Sequence, residues 1–487
     1  MAAFEAEACR RLPLAEACLR LLDYVLRDDF LAGVFERQRG ASYEKVISFP
    51  VFVHLIADAL LEHHGSGHQS FTRAQELGIL EASVTAAYGK LGRTPLSLSC
   101  GLLAEATPRL LAILPPPAAD ALPASLRAFS ATSLDGKKIK YVAKRLKALR
   151  QVKGHVLGGK LVAAQDSASG LAIGFSADPD GEAGDAPLVP AVLAQVRAVR
   201  PGPRLWVADR GFCDLVQPRH LTAHGDHYVL RYNAKVSFTP DPSRPARSGH
   251  DAQGRAFREE WGWLGKGKDR IEVRRLTLDR PGDEAIRLVT DLLDGDQYPA
   301  VDILAIYLRR WGIERMFQEI TEVFHLRQLI GSTPEATVFQ AAFCFLLYNV
   351  IVVLRAYLAT AARPVATISG EKLFLDLERD LVAWTEVIGP EQTAAVLGPP
   401  LTAAQLRRRL RQLLRAAWTD LWLKAPPKKQ PTKHPDKEYL KGGHNSVYRL
   451  LRDARLAEQQ AAQQRQRGKP PKKSPRRKPV TAGAERC

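Results

Sequence analysis

Two aspartates and a glutamate, far apart in the chain, have the surroundings of metal-binding carboxylates. Asp135 and Asp209 each follow a strand-like run, and a glycine comes next or one residue later. Strands that end at the same edge of a sheet place such carboxylates side by side, and the glycine lets the backbone turn away and leaves the carboxylate open to a ligand. If a helix carrying Glu314 packs across that edge, three carboxylates converge.

Glu314 lies on a predicted amphipathic helix over residues 303–326. Apolar residues recur there at helical intervals, and Tyr307, Arg310, Glu314 and Thr321 follow at spacings of three, four and seven. These spacings align the four on a second stripe, about 100° round the helix from the apolar one. Spacing alone is equally compatible with an ordinary solvated helix face that carries an Arg–Glu pair.

The chemistry of such a cluster follows from its charge. Converging carboxylates repel one another, which raises their pKa values unless a cation neutralises them. Oxygen ligands with open positions suit Mg²⁺, or Mn²⁺. Two such ions about 3.5–4 Å apart can activate a water or a 3′-hydroxyl and stabilise the leaving oxygen of a phosphodiester. Each acid alone is modest evidence, since Asp-Gly is a common turn and an Asp after a strand is often a helix cap.

The net charge indicates a polyanionic partner. The 487 residues carry a formal charge of +18, and residues 424–478 contain 17 Lys or Arg against four acids. Nucleic acid is favoured over a membrane, because neither a lipidation motif nor a basic amphipathic anchor accompanies the charge. A tail that only keeps the protein soluble is the alternative interpretation.

The cysteines, histidines and apolar segments indicate which metal sites, disulfides and membrane spans the chain is expected to have. Six cysteines without a CxxC pair argue against a structural zinc site and a disulfide framework, and fit a reducing cytoplasm. His63, His64 and His68 could suggest a metal, but a polar loop between helices is the favoured interpretation. The N-terminus has acids and no long apolar run, unlike a signal peptide. The most apolar window, 341–354, is too short to span a bilayer and predicts a buried helix.

Composition and periodicity divide the chain into six regions. The first contains a weak helix-turn-helix pattern at 74–91, which indicates either DNA-end binding or ordinary helix packing. Strand-like runs alternating with helical ones then predict an α/β fold, a mixed sheet covered by helices. The regions are 1–125 (helical), 126–232 (first part of the core), 233–285 (β-rich insertion), 286–335 (second part of the core, with Glu314), 336–425 (helical) and 426–487 (basic tail, predicted to be disordered).

Over residues 126–335 the chain resembles the DDE transposases of bacterial insertion sequences, the group with a Tyr-x2-Arg-x3-Glu-x6-Lys signature. The matching residues are Asp135-Gly136, Asp209-Arg210-Gly211-Phe212, and Tyr307, Arg310 and Glu314. The resemblance implies an RNase H-like core, with helices on both faces of its sheet, interrupted before the glutamate by a β-strand insertion. One position departs from the pattern: Thr321 stands where the signature has Lys.

The resemblance also implies residue roles. Asp135, Asp209 and Glu314 would hold two Mg²⁺ ions, for which Mn²⁺ can substitute, and Tyr307 and Arg310 would contact DNA phosphates near the cleaved bond. A tryptophan of the insertion would either stack on a displaced base or belong to the insertion core. The remaining candidates for DNA contact are Arg210, Thr321, Trp261, Trp263, Lys266 and Lys268.

The implied activity is Mg²⁺-dependent cut-and-paste transposition. Hydrolysis would nick the element end, the freed 3′-hydroxyl would form a hairpin, and strand transfer into target DNA would follow. The expected partners are double-stranded DNA, as terminal inverted repeats and target, and a second copy of the chain in a synaptic complex, without a membrane. The expected location is the cytoplasm, at the nucleoid. The alternatives are an RNase H-like nuclease and a catalytically inactive DNA-binding relative.

Overall fold

The structure, a computed structural model, describes residues 2–140, 142, 144–326, 330–425 and 445–467. The helices are α1 (Ala2–Arg11), α2 (Pro13–Val25), α3 (Asp28–Gln38), α4 (Phe49–Leu61), α5 (Gly67–Glu76), α6 (Val84–Leu91), α7 (Leu96–Ile113), α8 (Val189–Val199), α9 (Gln217–Thr222), α10 (Ala300–Arg309), α11 (Trp311–Glu322), α12 (Pro334–Leu358), α13 (Gly370–Val387), α14 (Pro390–Leu397), α15 (Ala403–Ala416) and α16 (Val447–Arg467). The strands are β1 (Ser130–Ile139), β2 (Val156–Leu157), β3 (Gly159–Asp166), β4 (Ala172–Asp178), β5 (Arg204–Ala208), β6 (His227–Arg231), β7 (Phe238–Pro240), β8 (Arg247–His250), β9 (Ala256–Leu264), β10 (Ile271–Leu278), β11 (Ile286–Thr290) and β12 (Asn445–Ser446).

One large mixed sheet organises the molecule. Its strand order is β4-β3-β1-β5-β6-β11-β10-β9-β7, with β8 paired to β9. The first three strands of the core, β1, β3 and β4, pair antiparallel, whereas β5 and β6 run parallel to β1. Helices α8 and α9 make the crossovers before β5 and β6. This is the RNase H-like arrangement, so the predicted fold class is confirmed.

The insertion extends this sheet and forms no separate layer. β11 pairs antiparallel with both β6 of the core and β10 of the insertion, so hydrogen bonding runs unbroken from the core into β9 and β7. The core of the insertion includes a buried ion pair. Arg274 on β10, fully buried, donates from Nε to Glu259 on β9 at 3.0 Å and from Nη1 to the Tyr298 carbonyl at 2.6 Å. That contact fixes the insertion to the segment leading into α10.

Helix α12 forms the centre of the helical part. The sequence predicts a buried helix at 341–354, and the structure extends it to Pro334–Leu358, 25 residues. By length and composition α12 and α7 could each cross a membrane, but the most apolar window of α12 is entirely buried inside the protein and that of α7 half buried. Burial on all sides is what a helix at the centre of a folded core requires.

Two sequence predictions about helices are wrong. The single helix over 303–326 is two helices, α10 and α11, which meet at Arg310 through hydrogen bonds of three-residue span: the Arg310 amide donates to Tyr307 and the Ile313 amide to Arg310, both at 3.0 Å. The disorder predicted for 426–487 does not hold for 445–467, which form β12 and α16. β12 pairs with β2, and Val447 at the start of α16 is buried. The rest of that tail lies outside the described residues.

The first region, 1–125, contains helices α1 to α7. Within the weak helix-turn-helix pattern, Tyr88 on α6 packs its ring edge-on against Phe71 on α5, with centroids 5.1 Å apart. Such a contact is compatible with ordinary helix packing and with a helix-turn-helix, and DNA-end binding by this region stays a prediction.

The ion pair in the insertion supplies a stability test. Arg274→Met leaves Glu259 buried without its partner, so we expect the free energy of unfolding to fall by about 3–5 kcal/mol. Urea denaturation followed by circular dichroism measures it. Arg274→Met/Glu259→Leu removes both charges and should regain most of the loss. Equal destabilisation in the single and double variants would mean that the unpaired charge is not the cause.

Candidate active site

Asp135 and Asp209 lie side by side on neighbouring parallel strands. The last paired residues of β1 and β5 are Leu134 and Ala208, so the two acids occupy the next position on each strand, about 4.8 Å apart in the backbone. β5 ends there, but β1 continues to Ile139, paired with β3 on its other side. The prediction that Asp135 ends its strand is therefore wrong. Asp135 is held in mid-strand, and its carboxylate lies on the side of the sheet where Arg310 meets it.

Arg310 brings the third acid to this edge. At the junction of α10 and α11 its guanidinium lies 3.4 Å from Asp135 Oδ2 through Nη1, and donates from Nη2 to Glu314 Oε1 at 2.6 Å. The Arg310 side chain is only 6% exposed, and its guanidinium carbon lies 5.7 Å from the centre of the Tyr307 ring. One buried cation thus bridges a sheet carboxylate and a helix carboxylate.

The electrostatics of Asp135 reflect the crowding of these charges. Burial and, to a smaller extent, the charges of Glu314 and Asp209 raise the pKa of Asp135 to about 6, against the opposing effects of Arg310 and the Gly136 amide. Burial likewise raises the pKa of Tyr307, with a contribution from Asp209 in the same direction. The three acids therefore form one electrostatic cluster that Arg310 neutralises only in part.

The cluster fits a hard divalent cation. Oδ1 of Asp209 is buried and has no hydrogen-bond partner among the described residues, an expensive state for a carboxylate oxygen. The remaining donors are carboxylate oxygens of Asp135 and Glu314, the ligand type that Mg²⁺ and Mn²⁺ prefer. An added cation would satisfy the orphaned oxygen and reduce the repulsion that raises the pKa of Asp135.

Comparison with known proteins finds similarity to transposases. Residues 129–350 match the family model described as the transposase DDE domain. Over that stretch, which is less than half of its length, the chain is similar to the transposase DDE domain. Over 150 residues it is 28% identical to a candidate transposase for insertion sequence element IS4SA from Synechocystis sp., a match that covers 30% of this chain and 39% of the relative. A solved structure, the piggyBac transposase synaptic complex with hairpin DNA, aligns at a TM-score of 0.41 and 11% identity, covering 86% of this chain and 88% of that one.

Arg210 lies beside the acids of this DDE domain in a basic pocket. Its side chain is exposed, and it lines a pocket of about 340 Å³ with Arg231, Lys235 and Arg287, among others. The last three were not predicted as site residues. Arg231 is on β6, Lys235 is in the turn after it and Arg287 is on β11, and the pairing of β6 with β11 brings them together.

Thr321, which stands where the signature has Lys, makes a hydrogen bond within its own helix. Its hydroxyl donates to the carbonyl of Phe317, one turn earlier on α11, at 2.6 Å. A cation lies nearby on the strand: Lys137 Nζ is 5.5 Å from the centre of the Phe317 ring. Two residues beyond Asp135 on β1, Lys137 shares its face of the strand. Lys137 was not predicted as a site residue because the strand was expected to end at Asp135. The alternation of side chains, continued past Gly136, places Lys137 on the same face as Asp135.

The candidate DNA-contact residues of the insertion differ in how exposed their side chains are. Trp261 is 6% exposed and donates from Nε1 to the Leu293 carbonyl at 2.8 Å, so it belongs to the insertion core and does not fit base stacking. Trp263 is half-buried, with the Arg270 guanidinium carbon 4.4 Å from its ring centre. Lys266 and Lys268 are exposed in the loop between β9 and β10. Contact of these last three residues with DNA stays a prediction.

Gly312 allows the helix junction to approach the sheet closely. A Cβ at this position would lie 3.0 Å from the side-chain oxygen of Gln165 on β3, tighter than ordinary packing allows. Gly312 is the second residue of α11, and its lack of a side chain lets the helix junction bring Arg310 and Glu314 to the sheet edge.

The raised pKa of Asp135 predicts a pH-dependent stability cost. Its pKa is about 6 when folded against the ordinary 3.8, so the folded chain binds more protons between about pH 4 and 6, and stability falls as pH rises through that window. Asp135→Asn removes this effect, and in chelator at pH 8 we expect it to stabilise the protein by about 1–3 kcal/mol. Urea denaturation at pH 8 and pH 4.5 measures it, and the gain should shrink at the lower pH. A gain that does not change with pH would contradict this electrostatic explanation.

Proposed function

We propose that this chain is an insertion-sequence transposase that cuts and joins DNA by Mg²⁺-dependent chemistry at Asp135, Asp209 and Glu314. The observation that carries the proposal is the bridge from Asp135 through Arg310 to Glu314, beside the orphaned carboxylate oxygen of Asp209. It lies inside the matched DDE domain. Because this chain spans less than half of its curated relative, substrate and reaction course are part of the proposal.

The three carboxylates would hold two Mg²⁺ ions, or Mn²⁺. Such ions activate a water or a 3′-hydroxyl for in-line attack and stabilise the leaving oxygen of the phosphodiester. The chain's own residues set the geometry: β1 and β5 fix the separation of the two aspartates, and α11 brings Glu314 across the gap. Glu314, on a helix that packs on the sheet, would close one side of the site. DNA would then enter from the open side, where β5 ends.

Arg310 would change partners when cations arrive. In the present arrangement its guanidinium is held by Asp135 and Glu314. Cations on those carboxylates would remove much of the negative charge that attracts it. The freed guanidinium, with the Tyr307 hydroxyl beside it, would then be available to a phosphate near the cleaved bond. The basic pocket around Arg210 would hold the backbone further along the strand.

The proposed course is hydrolytic nicking at each terminal inverted repeat, hairpin formation by the freed 3′-hydroxyl, and strand transfer into target DNA. A homodimer in the synaptic complex would cut both ends together. The protein would work in the cytoplasm at the nucleoid, without a membrane. Support comes from the DDE domain, the net charge of +18 and the resemblance of the signature residues.

The catalytic acids can be tested with purified full-length protein, Mg²⁺ and a duplex carrying the element end. We expect Asp209→Asn and Glu314→Gln each to reduce nicking by more than about a hundredfold, since one electrostatic contact to a transition state is worth that much. Hairpin product should disappear with the nick. DNA binding, measured by fluorescence anisotropy in chelator, should persist.

Glu322→Gln is the matched control, because Glu322 is exposed on the same helix and bonded to Gln318. It should leave nicking unchanged. Nicking that survives Asp209→Asn or Glu314→Gln would refute the catalytic assignment. Nicking by the unaltered protein without hairpin or strand transfer would identify a nuclease of the same fold.

Lys137 would supply the phosphate contact that Thr321 lacks. α11 packs along β1, with Arg310 facing Asp135 and Phe317 facing Lys137. The Lys137 ammonium therefore lies on the flank of α11 between Glu314 and Thr321, one turn from the position where the signature has its cation. The positive charge is therefore carried by β1 and not by α11, on the face where DNA would enter.

Moving the charge back tests this assignment. Lys137→Met should weaken binding of the element end about three- to tenfold and reduce the salt slope of binding by about one. Thr321→Lys in the same chain should restore both. Lys138→Met, the neighbour on the opposite face of β1, is the control and should alter neither. An unchanged salt slope in Lys137→Met would show that Lys137 contacts no phosphate.

A further inference from the structure

A second cluster of metal-binding side chains lies away from the three acids. His64 follows α4, His325 follows α11, and Glu378 is on α13. His325 Nε2 lies 2.8 Å and His64 Nδ1 3.5 Å from the same oxygen, Oε1 of Glu378. One ligand atom from each residue falls within 4.8 Å of the others. We propose that His64, His325 and Glu378 form a zinc site that joins these three segments.

The burial of Glu378 calls for a cation. Its side chain is 5% exposed, and within the described ranges its ion-pair partners are the two histidines alone. A buried carboxylate is costly unless it is paired, and a neutral imidazole is only a dipolar partner. A divalent ion between the three side chains would neutralise the carboxylate and use a lone pair from each ring.

Backbone strain marks the same residues. In the described part of the chain three non-glycine residues have positive φ, and two of them are His64 (49°) and His325 (58°). Such conformations persist where the surroundings enforce them, and they concentrate at ligand sites. Here the two strained turns point both imidazoles at one carboxylate.

Packing holds the buried half of the cluster in place. Phe324 precedes His325 in the sequence, and Phe374 lies one helical turn before Glu378 on α13. The two phenylalanine rings pack edge-on with centroids 4.7 Å apart. Gln340 on α12 donates to the His325 carbonyl at 3.4 Å. These contacts fix His325 and Glu378 relative to each other before any ion binds, as a preorganised site requires.

The donor set selects zinc over the cations suited to the catalytic acids. Two imidazole nitrogens and one carboxylate oxygen are a common zinc set, with water as fourth ligand, and nitrogen ligands disfavour Mg²⁺. Tetrahedral zinc with bonds of about 2.0–2.1 Å separates its ligands by about 3.3 Å, so small side-chain shifts suffice. His64 is 67% exposed, which leaves room for that water.

The proposed site differs from the group of His63, His64 and His68, for which the sequence favoured a polar loop over a metal site. His63 pairs with Asp58, with Nε2 to Oδ2 at 3.4 Å, and His68 is exposed on α5. Only His64 of the three meets the distant His325 and Glu378. Because His325 comes three residues after the end of α11, zinc here would anchor the far end of the helix that carries Glu314.

The test uses full-length Asp209→Asn/Glu314→Gln protein, which lacks the catalytic acid set, after chelator treatment and dialysis. Titration calorimetry with Zn²⁺ should give one high-affinity site per chain, and millimolar Mg²⁺ should not compete. His64→Asn, in which asparagine tolerates the positive φ, should weaken Zn²⁺ binding at least about tenfold, the minimum seen even for groups that only support ligands. Glu378→Gln should do the same.

His68→Asn is the matched control and should bind Zn²⁺ like the parent. Zn²⁺ should also raise the melting temperature of the parent and of His68→Asn, and raise that of His64→Asn by less. Absence of stoichiometric binding in the parent, or equal affinity in His64→Asn, would overturn the proposal and leave a hydrogen-bonded cluster. His64 is exposed, so this variant decides the question even if Glu378→Gln fails to fold.

Discussion

The cost of burying neighbouring carboxylates is the constraint around which this fold is arranged. Asp135 and Asp209 come together because β1 and β5 are parallel and in register up to the residues just before them. Asp135 is partly buried there, and burial is the main cause of its raised pKa. A site of this kind opposes folding, so the surrounding structure must hold it in place. Arg310 offsets part of this cost, and a cation bound to the carboxylates would offset more of it.

Strand pairing on one side of the acids and helix packing on the other hold the site in place. β1 continues beyond the acid and pairs with β3, so Asp135 cannot move away from Asp209 without breaking a ladder. On the helix side, Phe317 packs edge-on against Phe345 of α12, with centroids 6.1 Å apart, and Gly312 lets the junction approach β3. The insertion adds to the same sheet through β11, so the basic residues of its inner strands lie at a fixed distance from the acids.

Much of this could be predicted from the sequence where the signal was local. Strand periodicity found the runs before Asp135 and Asp209, and helical spacing aligned Arg310 with Glu314. The break at Arg310 was missed because its φ and ψ remain helical (−51°, −28°), so the periodicity of side chains barely changes across it. Lys137 was missed through a wrong strand end. The helix at 447–467 was missed because the segment around it is rich in Lys, Pro and Gln, a composition typical of disorder.

Contacts between distant segments were out of reach for a different reason. Nothing in the spacing of His64, His325 and Glu378 indicates that they meet, since each lies at the end or on the flank of a different helix. Their meeting depends on how α4, α11 and α13 pack around α12. With zinc bound there, α11 would carry hard oxygen ligands in its first turn and a nitrogen-rich site just past its last. Each end would then select its own ion by ligand chemistry, so a structural ion could stay in place while the catalytic ions exchange.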